Sequence, residues 1–264
     1  MSSRALPWLA AMALAYLIGP LAFSFVVSFT PSNSLETPFE IGRVSLRWYQ
    51  AFFSDSHWTA GLWNSLRVAS MVIPISLVGG SCAAYAFERY RFRGRSLLGT
   101  MIMAPLFVPP VVLGLALLAL HQRIGLWGTP LSIAIGHSLW AIPIVFTVMR
   151  AALSQVDWNL EEAARGLGAS PIIALLLITL PQVLPALLIS VFFSFIVSVN
   201  ELIMALFLAT PSTQTLPTLI WPEVRYNVTP IVASASGVTT LLALALVLAA
   251  NRLFSLRRLM APLS

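Results

Sequence analysis

The chain has 264 residues, 58% of them hydrophobic and only 9% charged, against about one-quarter charged in a soluble domain. That balance excludes an ordinary soluble enzyme and describes a polytopic membrane protein. The formal net charge of +6 comes from fifteen arginines without a single lysine, which excludes a phosphate-binding loop of the Gly-x-x-x-x-Gly-Lys kind on this polypeptide.

A bilayer crossing needs about twenty consecutive apolar residues. Residues 7–29 reach that length behind Arg4, and they read as a retained helix rather than a removed signal peptide. Residues 30–60 are polar, contain Pro31 and Pro38, and read as an external loop with short structure around 46–53, where aromatics suit a membrane interface. The second span covers 62–87 and opens with Trp63-Asn64-Ser65-Leu66. Its Gly79, Gly80, Ser81, Ala83 and Ala84 form a small-residue stretch suited to close helix packing. Cys82, the sole cysteine, falls in the same span as an expected packing residue, and it rules out an internal disulfide. The basic segment 88–95 reads as a topological anchor, not a nucleic-acid patch.

The third span, 97–120, carries Pro105, Pro109 and Pro110. Each proline removes a backbone hydrogen bond, and lipid tolerates such a break only beside protein or a water-filled cavity. This helix is therefore expected next to a translocation path, its kink either a fixed bend or a moving gate. A short external turn, 121–128, leads to the fourth span, 130–149, with His137 in its outer half. The fifth span is expected over 184–208, an external loop over 210–227, and the sixth span over 230–250.

Arginines set the orientation. Arg4, Arg89, Arg91, Arg93, Arg95, Arg150, Arg165, Arg252, Arg257 and Arg258 fall on one side of these spans, which the short-loop rule makes cytoplasmic together with both termini. Arg43, Arg47, Arg67, Arg123 and Arg225 fall on or near the other. His57, His121 and His137 lie far apart without metal-ligand spacing, and no Ser/His/Asp constellation is present. No catalytic residue, no metal site and no enzyme activity are expected.

The segment 157–181 reads as two short helices joined by a turn. Asp157 caps the first, with Glu161 and Glu162 early in it to complement the dipole. Leu160, Ala163, Ala164 and Leu167 recur at helical spacing as one narrow apolar face. Glu161 and Arg165, four apart, are placed to pair on another face. Gly166 and Gly168 end the helix, and Ser170 caps the next, with Pro171 at its first position. Small alanines suit a helix that docks into a groove on a soluble partner.

Glu162-Ala163-Ala164, three residues, Gly168, nine residues, then Ile178-Thr179-Leu180-Pro181 resembles the EAA signature of ABC importer membrane subunits. The resemblance implies a type I ABC importer transmembrane domain: an all-α, six-helix permease spanning residues 1–264, with a core over 62–250 and a cytoplasmic coupling loop over 150–181. Its implied partners are an ABC ATPase dimer that binds ATP and Mg, a second permease subunit, and a periplasmic solute-binding protein, in a bacterial inner membrane. Coupling residues by that likeness are Glu161, Glu162, Ala163, Ala164, Arg165 and Gly168.

From the signature through Thr215-Leu216-Pro217 to Thr229-Pro230 the chain is similar to the second permease of spermidine/putrescine-type importers. Those permeases often carry two adjacent acidic residues in the fifth span, where this chain has Asn200-Glu201. The expected solute is a polyamine; an opine, a phosphonate or a similar small solute is the alternative. A secondary transporter working without ATP is the remoter one, since it calls for more intramembrane charge.

Glu201 is the one carboxylate deep in an expected span, roughly 25 Å along a helix from residue 184 at about 1.5 Å per residue. Ser194, Ser198, Glu201 and Ala205 share a helical stripe. Glu201 either helps pass a cationic solute or makes a structural hydrogen bond to a neighbouring helix or a partner subunit. Ser198, Asn200 and His137 are the other expected pathway residues, His137 being either titratable there or a neutral hydrogen-bonding group.

Overall fold

A computed structural model describes residues 5–33, 44–227 and 229–260. Arg4, Pro38 and Arg43, and the side chains of Arg257 and Arg258, lie outside the described set. The described residues form helices and turns without a strand: α1 Ala5–Val27, α2 Arg47–Ser54, α3 Ser56–Arg89, α4 Arg95–Met103, α5 Pro110–Arg123, α6 Pro130–Leu153, α7 Trp158–Gly166, α8 Pro171–Ala174, α9 Leu180–Asn200, α10 Ile203–Leu208, α11 Leu216–Pro222 and α12 Ile231–Met260.

Among the described residues four helical stretches are long and apolar enough to cross a membrane: Ser56–Arg89, Pro130–Leu153, Pro171–Asn200 and Ile231–Ala249. A fifth arises if Arg95–Phe107 and Pro110–Arg123 are one broken span, and Ala11–Val27 is a shorter apolar helix. Every expected span thus has a helical counterpart, but two spans and one loop helix differ in form. The third is bent by 102°: a 3₁₀ turn at Ala104–Phe107 and extended Val108 and Pro109 separate α4 from α5. Pro109 and Pro110 lack the amide hydrogens that a continuous helix would need there. The second expected loop helix is no separate element, because α8 runs through a π-helical turn, Leu175–Thr179, into α9. The fifth span stops at Asn200 instead of continuing to 208, so Ser194, Ser198, Glu201 and Ala205 do not share one helix.

Two compact units emerge. Among the described residues, one comprises 5–33, 44–62, 218–227 and 229–242. In it Phe29 stacks near Tyr49, Phe52 near Trp58, and the Ser28 and Tyr49 hydroxyls meet at 2.8 Å. The expected short structure around 46–53 is α2, with Phe52 fully buried.

The other comprises the described residues 63–217 and 243–260, and α6 packs along α9 inside it. One core cluster joins Ala84, Phe87, Phe146, Met149 and Val183. A second joins Val68, Val72, Ile133, Ala141, Met204 and Leu208. Cys82 is exposed rather than packed; it sits one turn beyond Val78, itself 65% exposed, on the outward face of α3. The small-residue stretch does its expected work on the facing side. A Cβ built on Gly80 would meet Val145 carbons at 2.7 Å and the Ile142 carbonyl oxygen at 2.9 Å, whereas one on Gly79 would touch only Ile142 side-chain atoms, at 3.4 Å or beyond. Gly80→Ala should therefore cost about 1–3 kcal/mol by overpacking, while Gly79→Ala is tolerated. Unfolding midpoints in detergent check this, and equal midpoints for the two variants would contradict the packing assigned to Gly80.

Candidate functional site

The segment after α6 builds its own scaffold. The Asp157 side chain accepts the Asn159 amide at 3.0 Å and opens α7, relieving one of the orphan donors of a helix start. At the other end Ala169 N donates to Ala164 O and Gly168 N to Arg165 O, each at 3.0 Å. This paired closure needs a left-handed residue, and Gly168 supplies it at φ 96°. Ser170 then caps α8 through the Ile173 amide at 3.3 Å, with Pro171 at its first position.

The two adjacent carboxylates of α7 part company. Glu161 turns inward, its side chain 3% exposed. It accepts from Thr179 Oγ1 at 2.7 Å and from Tyr85 Oη at 3.3 Å, and Arg89 Nε lies 3.7 Å away. Glu162 stays 61% exposed and receives both terminal nitrogens of Arg89 at 3.2 Å. The Arg89 guanidinium also lies over the Trp158 ring, 5.3 Å from its centroid. The expected Glu161–Arg165 pair is not formed. A surface pair at that spacing is worth only about 0.3–0.5 kcal/mol, and a buried carboxylate surrounded by donors has stronger hydrogen bonds to make. Beside this network Arg150 Nε reaches Glu88 at 2.6 Å and Arg95 reaches it at 3.5 Å, so the arginine-rich end is knitted together by three carboxylates.

The remainder of α7 faces outward. Leu160 is 51% and Leu167 91% exposed, Ala163 and Arg165 are exposed, and Ala164 is half-buried. The predicted narrow apolar face therefore exists and is uncovered in this chain.

The expected pathway residues form a separate cluster. His137 is fully buried, with Nδ1 3.3 Å from Ser198 Oγ and Nε2 3.3 Å from Glu201 Oε2. Glu201 leaves the α9 helix with extended backbone. Its Oε1 accepts from the Met204 amide at 3.0 Å and its Oε2 from the Ala205 amide at 3.1 Å. The carboxylate thereby caps α10. Asn200 is exposed and donates to Ile196 O at 3.0 Å. One turn earlier, Ser194 Oγ meets Ser76 Oγ at 2.7 Å, linking α9 to α3. A groove of about 1280 Å³ lies elsewhere, between α4 and α6 near Glu88 and Arg150, and none of His137, Ser198, Asn200 or Glu201 lines it. Of the two readings of Glu201, this geometry favours the structural hydrogen bond.

Sequence reasoning passed over Tyr85, Arg89, Trp158 and Thr179. Arg89 was hidden in a basic run that topology alone explains, and Thr179 stood unremarked inside the Ile178–Pro181 part of the signature. Asn64 and Ser65, noted only as an Asn-Ser pair, pin the segment before α11. Asn64 Nδ2 donates to Ser212 O at 3.1 Å and Gln214 O at 3.0 Å, and Ser65 Oγ accepts from Leu216 N at 2.8 Å.

Comparison with known proteins bears on this arrangement. Residues 75–259 match the family described as binding-protein-dependent transport system inner membrane component. The chain belongs to this family. The putrescine transport system permease protein PotI of Escherichia coli (strain K12) is 32% identical to it over 235 residues, which is 85% of this chain and 82% of that protein. The spermidine/putrescine transport system permease protein PotC of the same strain is 28% identical over 237 residues, 90% of this chain and 89% of that protein. Among solved structures, a bacterial ABC transporter involved in the import of the acidic polysaccharide alginate aligns with a TM-score of 0.71 at 19% identity, over 96% of this chain and 98% of that one; that likeness speaks for the fold. This protein is a permease subunit of the ABC importer class, with the type I transmembrane fold.

In this permease the capping role of Glu201 has a measurable consequence. Glu201→Gln replaces one acceptor oxygen by a donor that faces a backbone N–H, so it should destabilise the isolated subunit by about 1–3 kcal/mol. Thermal unfolding in detergent reads this directly. Lost uptake with an unchanged unfolding midpoint would return Glu201 to the solute path.

Proposed function

We propose that this permease is driven by ATP hydrolysed on separate subunits, and that α7 is the element those subunits grip. The carrying observation is the division of α7 into two sides. One side is anchored by Glu161; the other leaves Leu160, Ala163 and Leu167 bare. A bare apolar stripe on a short helix, framed by Glu162 and Arg165, fits a complementary groove on a protein partner. Arginine clustering puts α7 and both termini on the cytoplasmic side, where ATP is available. The ATPase dimer supplies ATP and Mg chemistry, and this chain binds neither. A second permease subunit and a periplasmic solute-binding protein complete the assembly, in keeping with a binding-protein-dependent family.

The mechanism is alternating access. Closure of the ATPase pair moves α7, the spans rearrange, and the path opens outward to receive solute from the binding protein. Hydrolysis restores the inward state. Each step requires contacts that differ between the two states, and the stripe on α7 provides such a contact surface. Glu161, Glu162, Ala163, Ala164, Arg165 and Gly168 are the coupling residues in this scheme. In this scheme His137, Ser198 and Asn200 flank the solute path, Glu201 holds the helix break beside them through its bonds to the Met204 and Ala205 amides, and the bend between α4 and α5 borders the path.

The solute is a polyamine such as putrescine or spermidine, supported by the likeness to PotI and PotC. One observation favours a second reading, a small solute such as an opine or a phosphonate: both oxygens of Glu201 are already occupied by backbone amides, which leaves no free carboxylate there for a polycation.

Ala163→Trp should weaken attachment of the ATPase subunits by about 2 kcal/mol, roughly thirtyfold in affinity, without changing insertion of the permease. Co-purification from membranes measures it, and full attachment of the variant would end the docking assignment. For the solute, thermal shift of the cognate binding protein should respond to putrescine or spermidine. A response to opines or phosphonates with polyamines silent would establish the second reading.

A further inference from the structure

Two routes connect α7 to the spans, and the covalent one is soft. It runs through Leu167 and Gly168, a glycine in the left-handed region with open space around it, then through the π-helical turn Leu175–Thr179. Widened turns of this kind carry poorer hydrogen bonding than an α-helix and recur at functional sites. A push on α7 passed along that route would be absorbed in flexing the glycine and the turn. The second route bypasses both. The buried Glu161 carboxylate takes a 2.7 Å hydrogen bond from Thr179, the last residue of the π turn, and on its other side meets Tyr85 and Arg89 at the end of α3.

We propose that Thr179 and Arg89 are positioning residues which, through Glu161, lock α7 to α3 and α9 together, so that a displacement of α7 enters two spans at once. This inference rests on the docking of α7 proposed above and names the contacts that carry its motion inward. The chemistry suits a lock. A buried carboxylate cannot slide away from its donors without becoming an unpaired charge, so the contact resists extension. Glu162 shares Arg89 with Glu161 but is exposed, which leaves the outer half of the network open to a partner while the inner half stays dry. Trp158 beneath the guanidinium holds Arg89 at the junction.

The test uses the complete transporter with its ATPase subunits. A cysteine at Gln182, exposed just beyond Thr179 at the start of α9, is introduced in a Cys82→Ser background, and its maleimide labelling rate is compared with and without ATP plus vanadate. The parent should show a nucleotide-dependent change in labelling. Thr179→Val, equal in shape but without the hydroxyl, should lose that change while ATP hydrolysis and co-purification of the ATPase are retained. Thr179→Ser should restore it, and Arg89→Gln should repeat the loss. A purely structural role would instead lower assembly, hydrolysis and the labelling response together. That pattern overturns the proposal, as does a full response in Thr179→Val or a parent whose α9 ignores nucleotide. If the parent fails to retain the ATPase subunits at all, the docking of α7 is what falls.

Discussion

Inside a bilayer, a backbone that leaves the helix must find hydrogen bonds within the protein, because lipid offers none. That constraint shapes this permease at its breaks. Where α9 ends at Asn200, the following amides are claimed by the Glu201 carboxylate, whose other contact is a buried histidine on α6. A charged group that would be costly in lipid is thus held between a helix start and an imidazole. The break, the cap and the histidine form one structural device. It fixes α10 against α5 and α6, and it places Met204 and Leu208 in the core beside Ile133 and Ala141.

The same logic works at the arginine-rich end under different conditions. There, water is within reach of Glu162 but not of Glu161. One carboxylate of the adjacent pair can be solvated while the other must be paired. The buried member draws Thr179 and Tyr85 to itself, and Arg89 spans both. A helix of nine residues would be marginal alone; α7 persists because its ends are capped and one carboxylate is fastened to neighbouring spans. Its remaining apolar side chains, Leu160 and the following Leu167 among them, stay uncovered within the chain.

Much of this was legible in the residues. The spans follow from apolar length, and the ends of α7 and α8 follow from Asp157, Gly168, Ser170 and Pro171, because caps are made by residues only two to five positions from the groups they satisfy. Close packing at Gly80 was legible as a small-residue stretch, although which partner it met was not. The break after Asn200 was not legible, since the apolar residues resume after Asn200-Glu201 and run on through Leu208, and hydropathy measures length, not continuity. Cys82 went the other way: an apolar neighbourhood in sequence does not say which face of α3 it occupies.

By itself, then, the sequence determined the class of protein, its helical spans, the absence of a nucleotide-binding lysine, and a capped helix with an apolar stripe at the signature. Only the tertiary structure decided which way each carboxylate turned. Glu161 had a partner four residues away and took three others from α3 and the π turn; Glu201 sat on an apparently continuous helix and became the cap of the next one. The reason is physical: local pairings are set by spacing along the chain, but a buried charge is stabilised by whichever donors the packed fold brings around it, and those come from segments far apart in sequence.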